Sequence, residues 1–310
     1  MSVVTMIVKW VCLIMTGILT ASTVQAAEPV TSSFDMEANG IAYRIFTAAP
    51  KGAAPEGGYP VIYMIDGNRM LPIAAKRMAE NPALKAVVVG IGYSTDDPEE
   101  IVRLRYFDLT PPTPDDLIPV HFNVPKTGGR DAFFNFIDNQ VKPEIEKRFN
   151  IDKDRQALFG HSLGGLFTLY ALFNHPASFQ SYSAADPSIW WNDRSILKDK
   201  DQFVTSSKDS PRPIRLLIET SGKRGSRPGQ TKQDDDRLKK LRGGPSGADI
   251  FKELSELPQL DAAFRRFEDE SHGSMIPLTV EDSLDFILLG KPPSTKTTEF
   301  YLSVFDGKDT

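Results

Sequence analysis

The sequence predicts a doubly wound α/β domain, with a mostly parallel sheet and helices on both faces. Two observations predict it: short continuous apolar runs rich in Val and Ile recur along the chain, and helical periods fall between them. A third is local, a serine between two glycines where one such run meets an apolar helix. Sheets of this kind bind ligands at the carboxyl ends of their strands.

The first stretch lies outside this pattern. Lys9 is followed by "WVCLIMTGILTAST" and then by "VQAAEP", with Val24 and Ala26 at the −3 and −1 positions of a cleavage site. The run is shorter than the roughly 20 apolar residues of a spanning helix. Residues 1–26 therefore read as an export signal cut after Ala26 or Ala27, with an uncleaved N-terminal anchor as the alternative and the only expected tie to a membrane. Cys12, the single cysteine, falls inside this segment, so the rest of the chain offers no disulfide and no thiolate metal site. No metal and no cofactor are expected. A net charge of −5 gives no basic surface for nucleic acid.

Residues 27–290 read as one domain. "IAYRIFT" (41–47) alternates as an edge strand does, and "YPVIYMID" (59–66) and "KAVVVGIGY" (85–93) suit strands buried on both faces. "QALFG" (156–160), "PIRLLIET" (213–220) and the weaker "AAFRRFED" (262–269) follow. Between them, Phe133, Phe136, Ile137, Val141, Ile145 and Phe149 mark one helix, which Pro143 kinks or restarts. "LGGLFTLYALFNH" follows the serine, and "TVEDSLDFILL" (279–289) begins with Thr279 and two acids, a favourable first turn. Two insertions break the pattern: 94–129, proline-rich, and 221–247, polar and glycine-rich. Both leave from strand ends and are candidate substrate-facing loops. Residues 291–310 read as an extension.

Gly160-His161-Ser162-Leu163-Gly164 matches G-x-S-x-G between a buried strand and a helix, the setting of a nucleophile elbow. A serine hydroxyl needs a base within hydrogen-bond reach. Of four histidines, His161 and His175 lie too near Ser162 in sequence to curl back onto it, and His121 sits in the proline-rich insertion. His272, in "EDESHGSMIP" after the last strand, is the candidate base, with Gly273 expected to let its loop turn tightly. The orienting acid is sought just past the strand 213–220: Glu219, or Asp234, Asp235 or Asp236 folding back, or no acid at all in a working dyad. The tetrahedral intermediate needs N–H donors. The Leu163 amide, first in its helix, is one; Gly67 or Asn68, in "IDGNRM" after a buried strand, is the other.

Together these residues resemble the esterase-D-like branch of the α/β-hydrolases, and within it the bacterial siderophore trilactone esterases. The resemblance runs from about residue 41 to 289 and is carried by "GYPVIYMIDGN", "VGIGYST", "RLRYFDLTPP", "FGHSLGGLF", "SYSAADPSIWW" and "SHGSMIPLTVEDSLDFIL". It implies Ser162 as nucleophile, His272 as base, and an oxyanion loop at Asp66, Gly67 and Asn68. It also implies a Ser–His pair working in the periplasm without a well-placed carboxylate. Leu163 departs from the aromatic residue of close relatives. The implied substrate, a ferric triscatecholate, is anionic, which points to Arg103, Arg105 and Arg130 for charge, Tyr106 and Phe107 for stacking, and Trp190 or Trp191 as pocket wall. A general carboxylesterase acting on acetyl, feruloyl or short acyl esters, and a non-catalytic binding protein of the same fold, are the alternatives.

Overall fold

The computed structural model describes residues 28–118, 126–206, 213–223 and 242–291, with residues 231, 232, 236, 239 and 240 between the last two segments. His121, Asp234, Asp235, the segment 1–26 and nearly all of 291–310 lie outside the described residues.

Eight strands form one sheet: β1 (Val30–Ala38), β2 (Ile41–Ala49), β3 (Tyr59–Ile65), β4 (Val87–Tyr93), β5 (Ile151–His161), β6 (Ser181–Ala185), β7 (Ile214–Lys223) and β8 (Leu260–Ser271). Their spatial order is β1-β2-β4-β3-β5-β6-β7-β8. β1–β2 and β2–β4 pair antiparallel and all other pairs are parallel. The apolar runs at β3 and β4 are buried at every residue, as strands covered on both faces must be. β2 is not an edge strand, because β1, whose first four residues, Val30 to Ser33, are exposed, pairs outside it. The outer strands carry exposed charge: Asp35 on β1 in a two-bond pair with Arg44, and Glu268 and Asp269 on β8.

Among the described residues, the α-helices with defined bounds are α1 (Gly67–Glu80), α2 (Pro98–Leu109), α3 (Arg130–Phe136), α4 (Lys142–Arg148), α5 (Leu163–Asn174), α6 (Ile196–Ser206), α7 (Gly247–Leu254) and α8 (Ile276–Leu289). α1 and α8 cover one face, where Met70, Leu71, Ala74, Val280 and Leu284 pack on Ile62, Met64, Val88 and Phe159. The larger core lies on the other face, around Tyr63, Leu158, Phe167, Tyr182 and Leu216. α5 is buried from Leu163 to Phe173, which is why its sequence is apolar all round. α3 and α4 are joined by a π-helical turn, Ile137–Val141, ahead of Pro143, so the ring is accommodated by a widened turn. α8 starts three residues before Thr279, at Ile276 with Pro277 in its first turn; Thr279 is buried and its hydroxyl donates to the Ile276 carbonyl.

The insertion 94–129 is partly helical. Asp97 caps α2 by accepting from the Glu99 amide at 3.0 Å, and Pro98, Glu99 and Glu100 fill the first turn. The far end of the helix is anchored by Asp108, which is buried and accepts from the Tyr43 and Tyr93 hydroxyls, both at 3.0 Å. Trp191, also buried, donates from Nε1 to Thr113 Oγ1 at 2.9 Å. The second insertion ends in a capping box, in which Asp249 accepts from the Ser246 amide and Ser246 Oγ accepts from the Asp249 amide, so α7 docks beside β7.

Burial pushes the Asp108 carboxyl up from 3.8 to about 7, against the two tyrosine hydrogen bonds. The folded protein therefore keeps a proton that the unfolded chain releases, and stability falls as pH rises through this window. Asp108→Asn removes the titration. Thermal melts from pH 4.5 to 8 should show wild type losing stability relative to this variant as pH rises; a constant difference would refute the assignment.

Candidate active site

The nucleophile turn is built by close backbone approach. A Cβ at Gly160 would lie 2.2 Å from the Gly164 carbonyl oxygen, so strand and helix meet only without a side chain there. Ser162 itself adopts φ 63°, ψ −116°, the sparsely populated backbone expected of an elbow. This conformation sets Ser162 Oγ above the sheet at the start of α5.

His272 comes from the turn after β8. Its Nε2 lies 3.0 Å from Ser162 Oγ. Its Nδ1 lies 2.6 Å from Asp186 Oδ2. Asp186 follows β6 directly, is buried, and also accepts from the Ser221 hydroxyl at 2.7 Å and the Ser221 amide at 3.3 Å. Chain order is thus Ser, Asp, His, and all three members are within hydrogen-bond reach. The His272 turn is closed by Ser271 and Ser274, the Ser271 amide donating to Ser274 Oγ at 2.9 Å. Gly273 is not what lets it turn: its φ is not left-handed, and a Cβ there would touch nothing.

Glu219 is not the orienting acid. It sits within β7, paired in register with Ala185, rather than past the strand end. Its side chain is fully buried and faces Asp282 and Arg265; burial, then the Asp282 charge, raises its carboxyl well above the usual range. That carboxyl faces α8 and is not among the residues lining the cleft with His272. Asp236 does not line the site. Nor does the site lack a carboxylate, since Asp186 supplies one.

The oxyanion loop matches expectation in part. Asp66 takes the left-handed conformation, φ 61°, and α1 starts directly after it. The Arg69 and Met70 amides both donate to the Asp66 carbonyl, which leaves those of Gly67 and Asn68 as the first, intrahelically unbonded donors. Asn68 and Leu163 both line the cleft with Ser162. The Asn68 side chain is occupied elsewhere, donating to the Tyr93 carbonyl and accepting from the Tyr93 amide. Gly67 is needed for contact, because a Cβ there would sit 2.3 Å from the Gly90 carbonyl carbon.

Of the aromatic candidates, Tyr106 and Trp190 line the cleft; Trp191 lines it too while belonging to the core. Phe107 packs under Gly129. The arginines divide. Arg105 reaches the site, but its guanidinium is engaged: Nε donates to Asp66 Oδ1 at 2.7 Å and Nη2 to the His161 carbonyl at 3.1 Å. It therefore ties the oxyanion loop to the elbow while also lining the cleft. Arg130 is not a pocket residue; it stacks on the Tyr170 ring at 3.7 Å and pairs with Asp131 and Asp199. Arg103 faces solvent beside Glu100. The other cations at the cleft wall are Arg69, Lys223, which pairs with Asp269 at 3.4 Å, and Arg242, which lies over the Trp190 ring. The cleft measures about 710 Å³ and is open at its mouth, where Ile101 and Val102 stand. No cluster of metal-ligating side chains occurs among the described residues.

The family model described as "Putative esterase" matches residues 38–234. A ferri-bacillibactin esterase, BesA, of Bacillus subtilis is 37% identical over 79% of this chain and 84% of its own length. A siderophore enterobactin esterase of Emericella nidulans is 33% identical over 78% of this chain and 86% of its own. Among solved structures, the siderophore hydrolase EstA from Aspergillus nidulans superimposes with a TM-score of 0.69 at 29% identity, covering 85% of this chain and 95% of that one.

Asp186→Asn should lower kcat by about 10³- to 10⁴-fold, as expected when an imidazole loses the carboxylate that fixes its tautomer. Glu219→Gln, which alters a buried group that does not touch the imidazole, should leave kcat unchanged. Steady-state hydrolysis of p-nitrophenyl acetate separates the two residues, and the opposite ranking would restore Glu219 as the acid.

Proposed function

Because the chain belongs to this esterase family, we propose that it is a serine esterase that cleaves the ester bonds of a siderophore in the periplasm. One observation carries the mechanism: the continuous hydrogen-bond line from Ser162 Oγ through His272 to Asp186, at 3.0 and 2.6 Å.

Ser162 Oγ attacks the ester carbonyl while His272 Nε2 takes its proton, and Asp186 stabilises the resulting imidazolium. The carbonyl electrons move onto oxygen, facing the amides of Leu163 and of Asn68 or Gly67, two helix N-termini that are favourable to negative charge. Collapse breaks the carbonyl–alkoxide bond, and the imidazolium gives its proton to the leaving alcohol. Water, deprotonated by His272, then attacks the acyl-enzyme and frees the acid and Ser162.

The substrate reading is supported by the named relatives and by the cleft. Its volume lies within the range for drug-sized ligands. Tyr106 and Trp190 offer aromatic faces, and Arg69, Lys223 and Arg242 set positive charge along the wall. A ferric triscatecholate lactone is bulky, aromatic and anionic, and any iron it carries would enter as cargo. The export reading is supported by the apolar run before "VQAAEP" and predicts a mature N-terminus at Ala27 or Glu28.

A fluorophosphonate probe should label the wild type and not Ser162→Ala; equal labelling would remove the serine from the chemistry, and no labelling of wild type would favour a binding protein. In competition, a triscatecholate trilactone should be turned over with a higher kcat/KM than p-nitrophenyl acetate. A large preference for the acetate would leave a general carboxylesterase.

A further inference from the structure

The base is the least supported member of the triad. Its side chain is 46% exposed, against 9% for Asp186, and it rides on an exposed turn. The Ser271–Ser274 bonds close that turn on itself without tying it to the nucleophile's strand. His161, the last residue of β5, makes that tie: its Nε2 lies 2.8 Å from the main-chain carbonyl oxygen of His272.

A carbonyl oxygen only accepts, so His161 must carry its proton on Nε2 and donate. The ring is buried, and burial first, then the neighbouring His272 and Arg105, push its pKa down to about 3, so it stays neutral at working pH. The His161 and His272 ring centroids are 4.5 Å apart with the planes tilted by 40°. On its other side, the His161 carbonyl accepts from Arg105. Position 161 is thus held by α2, holds the base turn, and is bonded covalently to Ser162. The G-x-S-x-G pattern leaves this position open, so the elbow alone does not demand a histidine.

We propose that His161 is a positioning residue for the base: its Nε2–H bond to the His272 carbonyl keeps the imidazole of His272 at proton-transfer distance from Ser162. The inference rests on the reading of Ser162 and His272 as nucleophile and base. Through this bond, strand β5 sets both ends of the proton path, the hydroxyl by its covalent chain and the imidazole by hydrogen bond. Asp186 controls the rotation of the His272 ring; His161 controls where its main chain stands.

The test compares His161→Gln with His161→Met. The two side chains have similar length and shape, but only glutamine keeps an N–H donor near the place of Nε2. With p-nitrophenyl acetate as substrate, His161→Gln should retain kcat close to wild type. His161→Met should lose on the order of a hundredfold in kcat, the scale of a displaced catalytic group, with KM little changed. Thermal melts of both variants accompany the kinetics. Equal kcat values in the two variants, or a His161→Met enzyme as active as wild type, would overturn the proposal. So would loss of a cooperative melt in both, which would make His161 a packing residue. Ser162→Ala, assayed alongside, tests the underlying reading separately: residual turnover there defeats the nucleophile assignment, whatever position 161 does.

Discussion

The site depends on the approach of two backbones, those of Gly160 and Gly164. No side chain fits between strand and helix at that point, and the chain can therefore reverse within one residue, at Ser162. The strained conformation of that serine is of a kind that costs roughly 1–3 kcal/mol. Burial of α5 offsets it, since each large apolar side chain removed from water contributes about 1.5–3 kcal/mol. The same turn exposes the hydroxyl and aims the first amide of α5 at the space above it. Geometry at one turn thus supplies both the proposed nucleophile and half of the proposed anion site.

The remaining parts come from other strand ends. Asp66 and Asn68 follow β3, Asp186 follows β6 and His272 follows β8. β3, β5 and β6 are consecutive neighbours in the sheet, so three of the four contributions arrive side by side. His272 must come from two strands further away. β7 and β8 are 10 and 12 residues long against five in β6, and their pairing shifts between Ser221 and Lys223. That extra length carries His272 over the shorter strand to within 3.0 Å of Ser162 Oγ. Arg105, from a helix of the first insertion, then ties the β3 end to the β5 end.

Ser162, His272 and Leu163 were legible in the sequence because their signals are local: a motif, a chain order, a helix start. Asp186 was not, because the acid is defined by which strand ends beside the base. β6 has only five residues, with serines at 181 and 183, and gives no apolar run to announce a strand. Its burial comes from neighbours on both sides, including a Ser183–Ser283 hydroxyl contact to α8 that no single-strand pattern encodes. The signal available was "SYSAADPS" itself, a short small-residue segment ending in Asp-Pro between the serine and the histidine. Glu219 misled for the converse reason: its strand was plain, but its side chain faces a helix whose Asp282 lies far along the chain. Arg130 reads as a ligand residue by its place at the end of the first insertion, yet tertiary packing gives its guanidinium to Tyr170. Exposed β1 carries no apolar run in the sequence because an outer strand pairs through its backbone.

That polar outer strand has a consequence for the molecule as a whole. An open sheet leaves unpaired amide and carbonyl groups along both margins, a template on which other chains can stack. Here one margin bears the Asp35–Arg44 pair and the other Glu268 with Arg266 and Asp269 with Lys223, so two molecules meeting margin to margin would have to bury charged side chains at the seam. Charged fringes of this kind oppose edge-to-edge stacking while leaving the cleft at the strand tips open to solvent.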